Sequence, residues 1–309
     1  MKKTLAVLLA LVMALGIAGG ALAEAEKPLV GILAPFSTHA WVAAVSYNAE
    51  YEAKELGLNY NMQTSNTIAE MATQMDDMVA QGAKVIVVNP QQEGLEAAAQ
   101  MAIDAGVKIV KFDRKINVDG VHFLAGDNYD MGVQSAKYIA EKLGGAGKVV
   151  ILDVPTSGSV AAERKQGFLD TIAAEAPGIE IIATIATQFN RTDGLKDMAD
   201  VLTAYPQIDG VFSMDDETSI GALQAISEAG RTDIKVITGG GGCQEYFNMM
   251  PGSDIHIASA TYSPAMMREC VKLAEKLLNG EEVAPSTTIG TTIVDKSNVE
   301  NFLDPNSPY

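Results

Sequence analysis

From residue 29 onward, short runs of β-branched and apolar residues alternate with longer stretches whose apolar positions recur every three or four residues. Residues 29–34, 58–62, 84–89 and 107–112 predict strands, each a short apolar-rich run bounded by Gly, Asn, Asp or Pro. Helices are predicted between them. Ile68, Met71, Met75, Met78 and Val79 share one helical face, and the flexible thioethers there suit core filling rather than a metal or cofactor. After a strand at 121–125 the alternation restarts, with helix 129–143, strand 148–153, helix 160–175, strand 179–185, helix 192–204, strand 208–213, helix 217–229 and strand 234–238. Strand-helix units in series imply parallel sheets covered by helices on both faces, and two such series predict an α/β protein of two doubly wound lobes. The repetition lies in the order of elements, with no residue period of the solenoid kind.

In open parallel sheets, ligands bind beyond the carboxyl ends of the strands. Here the first strand runs into Phe36, His39 and Trp41, the third ends at Asn89-Pro90, and the fourth ends at Asp113-Arg114. In the second series Phe189-Asn190-Arg191 precedes a helix and Asp215-Asp216 follows a strand. Rings, a carboxylate, a guanidinium and an amide aimed at one crevice suit a polyhydroxylated ligand, because hydroxyls need both donors and acceptors while sugar C–H faces stack on rings. Of the paired acids, Asp216 is expected to cap the following helix and Asp215 to face the cleft.

Other chemistries find less support. Gly144 to Lys148 has the flavour of a phosphate loop, yet it follows a helix, enters a strand and lacks Ser or Thr after the Lys. Gly239 to Gly242 reads as a flexible cleft loop. His39, His122 and His256 have no metal-ligand spacing, and no Gly-x-Ser-x-Gly nucleophile turn occurs. An enzyme would depend on carboxylates, with Asp113 and Asp215 as the acid-base pair; the expectation is no catalysis, no metal and no cofactor.

Residues 1–23 have the form of an export leader: Lys2 and Lys3, an apolar stretch from Leu5 to Ala18, then Ala21-Leu22-Ala23 before Glu24. Left uncleaved it would be an anchor, but the apolar stretch is short and charges follow at once. Removal leaves 286 residues with 20 basic against 39 acidic side chains, a balance of −19. That excess argues against nucleic acid and anionic membrane surfaces as partners. An oxidising destination raises the question of a bridge between the two cysteines, Cys243 and Cys270; two separate buried thiols are expected, since a core of this size needs no covalent staple.

Several segments together resemble the ribose and galactose type of periplasmic sugar-binding proteins, the receptors of ABC importers. They are Val30-Gly31-Ile32, Val87-Val88-Asn89-Pro90, Lys111-Phe112-Asp113-Arg114, Ala125-Gly126-Asp127-Asn128, Arg164-Lys165-Gln166-Gly167-Phe168, Asp215-Asp216-Glu217 and Ser263-Pro264. The resemblance implies the type I periplasmic binding fold, two Rossmann-like lobes joined by a three-segment hinge near 126–128, 262–263 and 289–291. The lobes would then be 27–126 plus 263–289 and 127–262 plus 290–309. It implies stacking rings at Trp41 and Phe189, hydroxyl-binding groups at Asn89, Asp113, Arg114 and Arg164, and further contacts from Phe36, His39, Asp215 and Tyr262. Asp215 falls where ribose binders carry Asn, Tyr262 where they carry Gln, and His39 where they carry another Asn. The Gly239–Gly242 run replaces a Gly-Phe-Asp-Gly turn, so the pocket is not a copied ribose pocket. The implied protein is a periplasmic monomer that binds a monosaccharide or polyol and delivers it to an ABC permease and ATPase complex. The rival is a sensor presenting the same closed shape to a chemoreceptor or kinase; a DNA-binding regulator would begin with a helix-turn-helix where this chain has its leader.

Overall fold

A computed structural model describes residues 27–36 and 39–309, so the predicted leader lies outside the described residues. The first series forms β1 (Leu29–Pro35), α1 (Ala40–Glu55), β2 (Asn59–Ser65), α2 (Ile68–Ala80), β3 (Val85–Val88), α3 (Glu96–Asp104), β4 (Lys108–Phe112) and β5 (Val121–Gly126). The second forms α4 (Asn128–Leu143), β6 (Ala146–Asp153), α5 (Ser159–Glu175), β7 (Gly178–Ala186), α6 (Arg191–Ala204), β8 (Gly210–Ser213), α7 (Asp216–Glu228), β9 (Val236–Gly240), α8 (Gln244–Met249) and β10 (His256–Ala260). Helix α9 (Met266–Leu278) and strands β11 (Ser286–Ile289) and β12 (Ile293–Asp295) follow.

The strands make two six-stranded sheets, ordered β11-β5-β4-β3-β1-β2 and β12-β10-β9-β8-β6-β7. All pairings are parallel except that of β12 with β10. The two sheets share one topology, and in each the order reverses beside its first strand, the point where a doubly wound sheet opens a crevice. Central strands are apolar throughout because helices cover both faces: Val85–Val88 and Val149 to Leu152 are wholly buried. The chain passes from the first sheet to the second after β5, returns with α9, which packs on β3, β4 and β5, and crosses again between β11 and β12.

Helices α4 and α5 meet closely enough that a Cβ at Gly132 would stand 2.0 Å from the Arg164 carbonyl oxygen, and one at Gly167 2.1 Å from that of Tyr129. No other residue type fits there, and the contact fixes the helix that carries Arg164. The two thiols are buried and unbridged, Cys243 in the core beneath the second sheet and Cys270 in that beneath the first.

Two local expectations are corrected. Gly239 and Gly240 are not loop: pairing with Ser259 and Ala260 carries β9 through them, and they are glycine because the Asp216 carboxylate and the Met131 methyl occupy the space side chains would need. And the cap of α7 is Asp215, whose carboxylate accepts from the Thr218 amide at 3.3 Å. Asp216 instead turns inward, where its Oδ2 accepts from the Gly242 and Cys243 amides, each at 2.8 Å, and from Ser259 Oγ at 2.9 Å. Those bonds tie the start of α7 to the turn after β9.

Candidate ligand-binding site

The carboxyl ends of the two sheets face one cavity of about 320 Å³. All ten residues singled out from the sequence line it: Phe36, His39, Trp41, Asn89, Asp113 and Arg114 from the first series, Arg164, Phe189 and Asp215 from the second, and Tyr262 from the return crossing. The strand-end rule collects all of them but Arg164, which projects from the second turn of α5.

Trp41, in the first turn of α1, is held as a plate. Its indole Nε1 donates to the Tyr262 carbonyl at 2.9 Å, and its ring stacks on Phe112 with centroids 5.9 Å apart. Asp113 has the only positive φ of any non-glycine described residue, 66°. Asp is among the few residues that tolerate this left-handed conformation. It turns the carboxylate out of the β4 line so that Oδ1 accepts from the Tyr262 hydroxyl at 2.6 Å. One carboxylate oxygen is thus committed to a protein partner. Burial, and then the Asp113 charge, hold the Tyr262 phenol well above its ordinary range, so it stays a donor.

Arg164 is buried. Its Nε donates to Asn128 Oδ1 at 2.9 Å and its Nη1 to the Met214 carbonyl at 2.7 Å, while its Cζ lies 5.1 Å from the Tyr262 ring centroid and 5.9 Å from that of Phe189. Burial lowers its pKa, and the neighbouring Tyr262, Asp113 and Asp215 oppose that. Asp215 faces the cavity while capping α7, and burial pushes its carboxyl up to about 7; the adjacent Asp216 adds to this, and the Thr218 bonds and Arg164 offset part of it. His39 meets the Phe189 ring edge-on at 6.3 Å, and burial lowers its pKa. Arg114 reaches across to donate to the Ser157 carbonyl at 3.0 Å, and Lys115 pairs with Glu163 at 2.6 Å, so two contacts bridge the halves beside the cavity.

The cavity wall also includes Gly240 and Gly241, from the glycine run expected at the cleft, and residues not singled out from the sequence: Ser65 and Asn66 at the end of β2, Gln91 beyond Asn89-Pro90, Val160 and Tyr309. A strand read to its true end would have pointed to Ser65 and Asn66. Tyr309 arrives through long-range packing that no local pattern announces. Among the described residues no cluster of His, Cys, Asp and Glu is placed to hold a metal ion, and no helix is long and apolar enough to cross a membrane.

Two doubly wound lobes with one polar, ring-walled cavity between their carboxyl ends define a two-lobed binding protein. The periplasmic binding protein domain family matches residues 30–282, and the chain belongs to that family. The ribose import binding protein of Salmonella typhimurium is 28% identical over 299 residues, covering 96% of this chain and 99% of its own. The xylitol-binding protein of Mycolicibacterium smegmatis is 28% identical over 259 residues, covering 82% of this chain and 72% of its own. Among solved structures, an ABC transporter solute binding protein from Mycobacterium smegmatis with bound glycerol has a TM-score of 0.82 at 28% identity, over 91% of this chain and 98% of that one.

Proposed function

We propose that this chain is the solute-binding receptor of an ABC importer, taking a monosaccharide or related polyol between its lobes and presenting it to a membrane permease and its ATPase. The observation that carries this reading is the cavity itself, in which carboxylates, guanidinium groups and flat rings converge from both sheets. Donors and acceptors in near balance match hydroxyls, each of which gives and takes a bond. Relatives named for ribose import and for xylitol binding favour a neutral polyhydroxylated solute and favour import over sensing. The lobes are residues 27–126 plus 263–289 and 127–262 plus 290–309. The ten lining residues singled out from the sequence are the ligand contacts, the receptor works as a monomer in the periplasm after its leader is removed, and it performs no chemistry on the solute.

The test begins by unfolding and refolding the protein to strip any carried solute, followed by a thermal-shift screen of sugars and polyols. A ligand at a hundred times its dissociation constant adds roughly 2.7 kcal/mol to stability. The expected result is a shift with a small set of neutral sugars or polyols that are recovered intact after long incubation. No shift across the panel, or turnover of a bound sugar, contradicts the reading.

A further inference from the structure

Tyr309 stands far along the chain from every other residue of the cavity wall, yet its ring is buried and lines the cavity beside Gly240, Gly241, Asp215 and Tyr262. Its backbone is held from two sides. The carbonyl accepts from the Gln244 amide at 3.2 Å and from Ser307 Oγ at 2.9 Å. The Gln244 side chain clamps the same segment, donating to the Phe302 carbonyl at 3.1 Å and accepting from the Asp304 amide at 2.8 Å. The tyrosine is therefore a fixed wall and not a trailing end.

A Cβ at Gly241 would stand 3.0 Å from the Tyr309 hydroxyl oxygen and 3.3 Å from Cε1, at a backbone φ of 129° that L side chains rarely adopt. A side chain at 241 and the ring at 309 thus exclude one another. The wall at that end of the cavity therefore comes from residue 309 and not from a side chain after β9. Burial, and then the charges of Asp216 and Asp215, hold the phenol well above its ordinary range, so it remains neutral and able both to donate and to accept.

Resting on the sugar or polyol reading, we infer that Tyr309 determines specificity: its ring closes the Gly240–Gly241 end of the cavity and sets the longest ligand that fits, while its hydroxyl offers that end of the ligand one hydrogen bond. The test compares the stripped wild type with Tyr309→Phe, Tyr309→Leu and Tyr309→Ala by titration calorimetry on matched five- and six-carbon sugars and linear polyols. One carbon more or less in a fitted pocket is worth about tenfold or more in discrimination. Tyr309→Leu and Tyr309→Ala should move the six- to five-carbon affinity ratio by about that factor towards the larger ligands. Tyr309→Phe should keep the ratio and weaken all ligands that reach the hydroxyl. If Tyr309→Ala loses its circular dichroism signature, Tyr309→Leu decides the matter. An unchanged ratio in the folded variants overturns the assignment and leaves the sugar reading standing; a panel that binds neither wild type nor variants overturns both.

Discussion

Asp113 joins a strained backbone to a site carboxylate, so its substitutions should separate stability from affinity. With φ at 66°, an alanine there carries the left-handed penalty of about 1–2 kcal/mol. It also leaves the buried Tyr262 hydroxyl without its 2.6 Å acceptor, at about 1–3 kcal/mol. Asp113→Ala should therefore lower the stability of the ligand-free protein by about 2–5 kcal/mol. Asp113→Gly relieves the backbone and should lose only about 1–3 kcal/mol. Asp113→Asn keeps both the tolerated conformation and an acceptor oxygen, and should fall within about 1 kcal/mol of wild type. Affinity depends on the charge and not on the backbone. Asn cannot supply a charge-assisted bond, so Asp113→Asn should weaken the best ligand about fivefold or more, and Asp113→Ala about 10- to 150-fold, the equivalent of one bond of about 1.5–3 kcal/mol. Urea unfolding without ligand and titration calorimetry with it measure the two quantities. Equal stability of Asp113→Ala and Asp113→Gly would refute the backbone argument. Native affinity in Asp113→Ala would remove Asp113 from the ligand contacts.

Two further predictions concern the surroundings. Asp215, raised from its ordinary 3.8 to about 7 mainly by burial, favours the protonated form when folded, so its stabilising contribution is complete below about pH 3.8 and is lost as pH rises through about 7. Asp215→Asn should thus gain stability relative to wild type between about pH 5 and pH 8 in urea unfolding, and a pH-independent difference contradicts the assignment. Lys115 and Glu163 bridge the halves at 2.6 Å without lining the main cavity. As a partly exposed pair worth about 0.2–1 kcal/mol, its loss in Lys115→Met should weaken ligand binding up to about fivefold at low salt, and the exchange of the two charges should restore it. Affinity untouched at low salt would show that the pair does not favour the closed arrangement.

The sequence pattern is most legible where local and long-range demands agree. The Val85–Val88 run is apolar because helices cover both its faces, and it reads as a strand from its residues alone. The edge strand β2 is different. Its sequence is largely polar and most of its residues are only half-buried, so pairing with β1 carries it on to Ser65, three residues beyond the predicted end. Gly239 and Gly240 have little strand propensity of their own and become strand through pairing with Ser259 and Ala260 of β10, while the crowding of Asp216 and Met131 accounts for their being glycine. Either of two adjacent aspartates satisfies a helix cap locally; the amides of Gly242 and Cys243, a turn away in space and 26 and 27 residues away in sequence, decide which one turns inward. Eight of the ten cavity residues were legible because strand ends are visible in sequence and parallel sheets gather their carboxyl ends, whereas Arg164, inside α5, and Tyr262 came only from the family resemblance. Tyr309 was not, since its place depends on the clamp by Gln244.

Closure of two lobes over one small polyhydroxylated solute would make the particle more compact. Small-angle scattering on the stripped protein, with and without a ligand shown by calorimetry to saturate it at one per chain, measures that most directly. Polar groups from both sheets can meet a single ligand only across the crevice, so the radius of gyration should fall on saturation and return when the ligand is removed. A saturating ligand that leaves the radius unchanged would contradict the clamp.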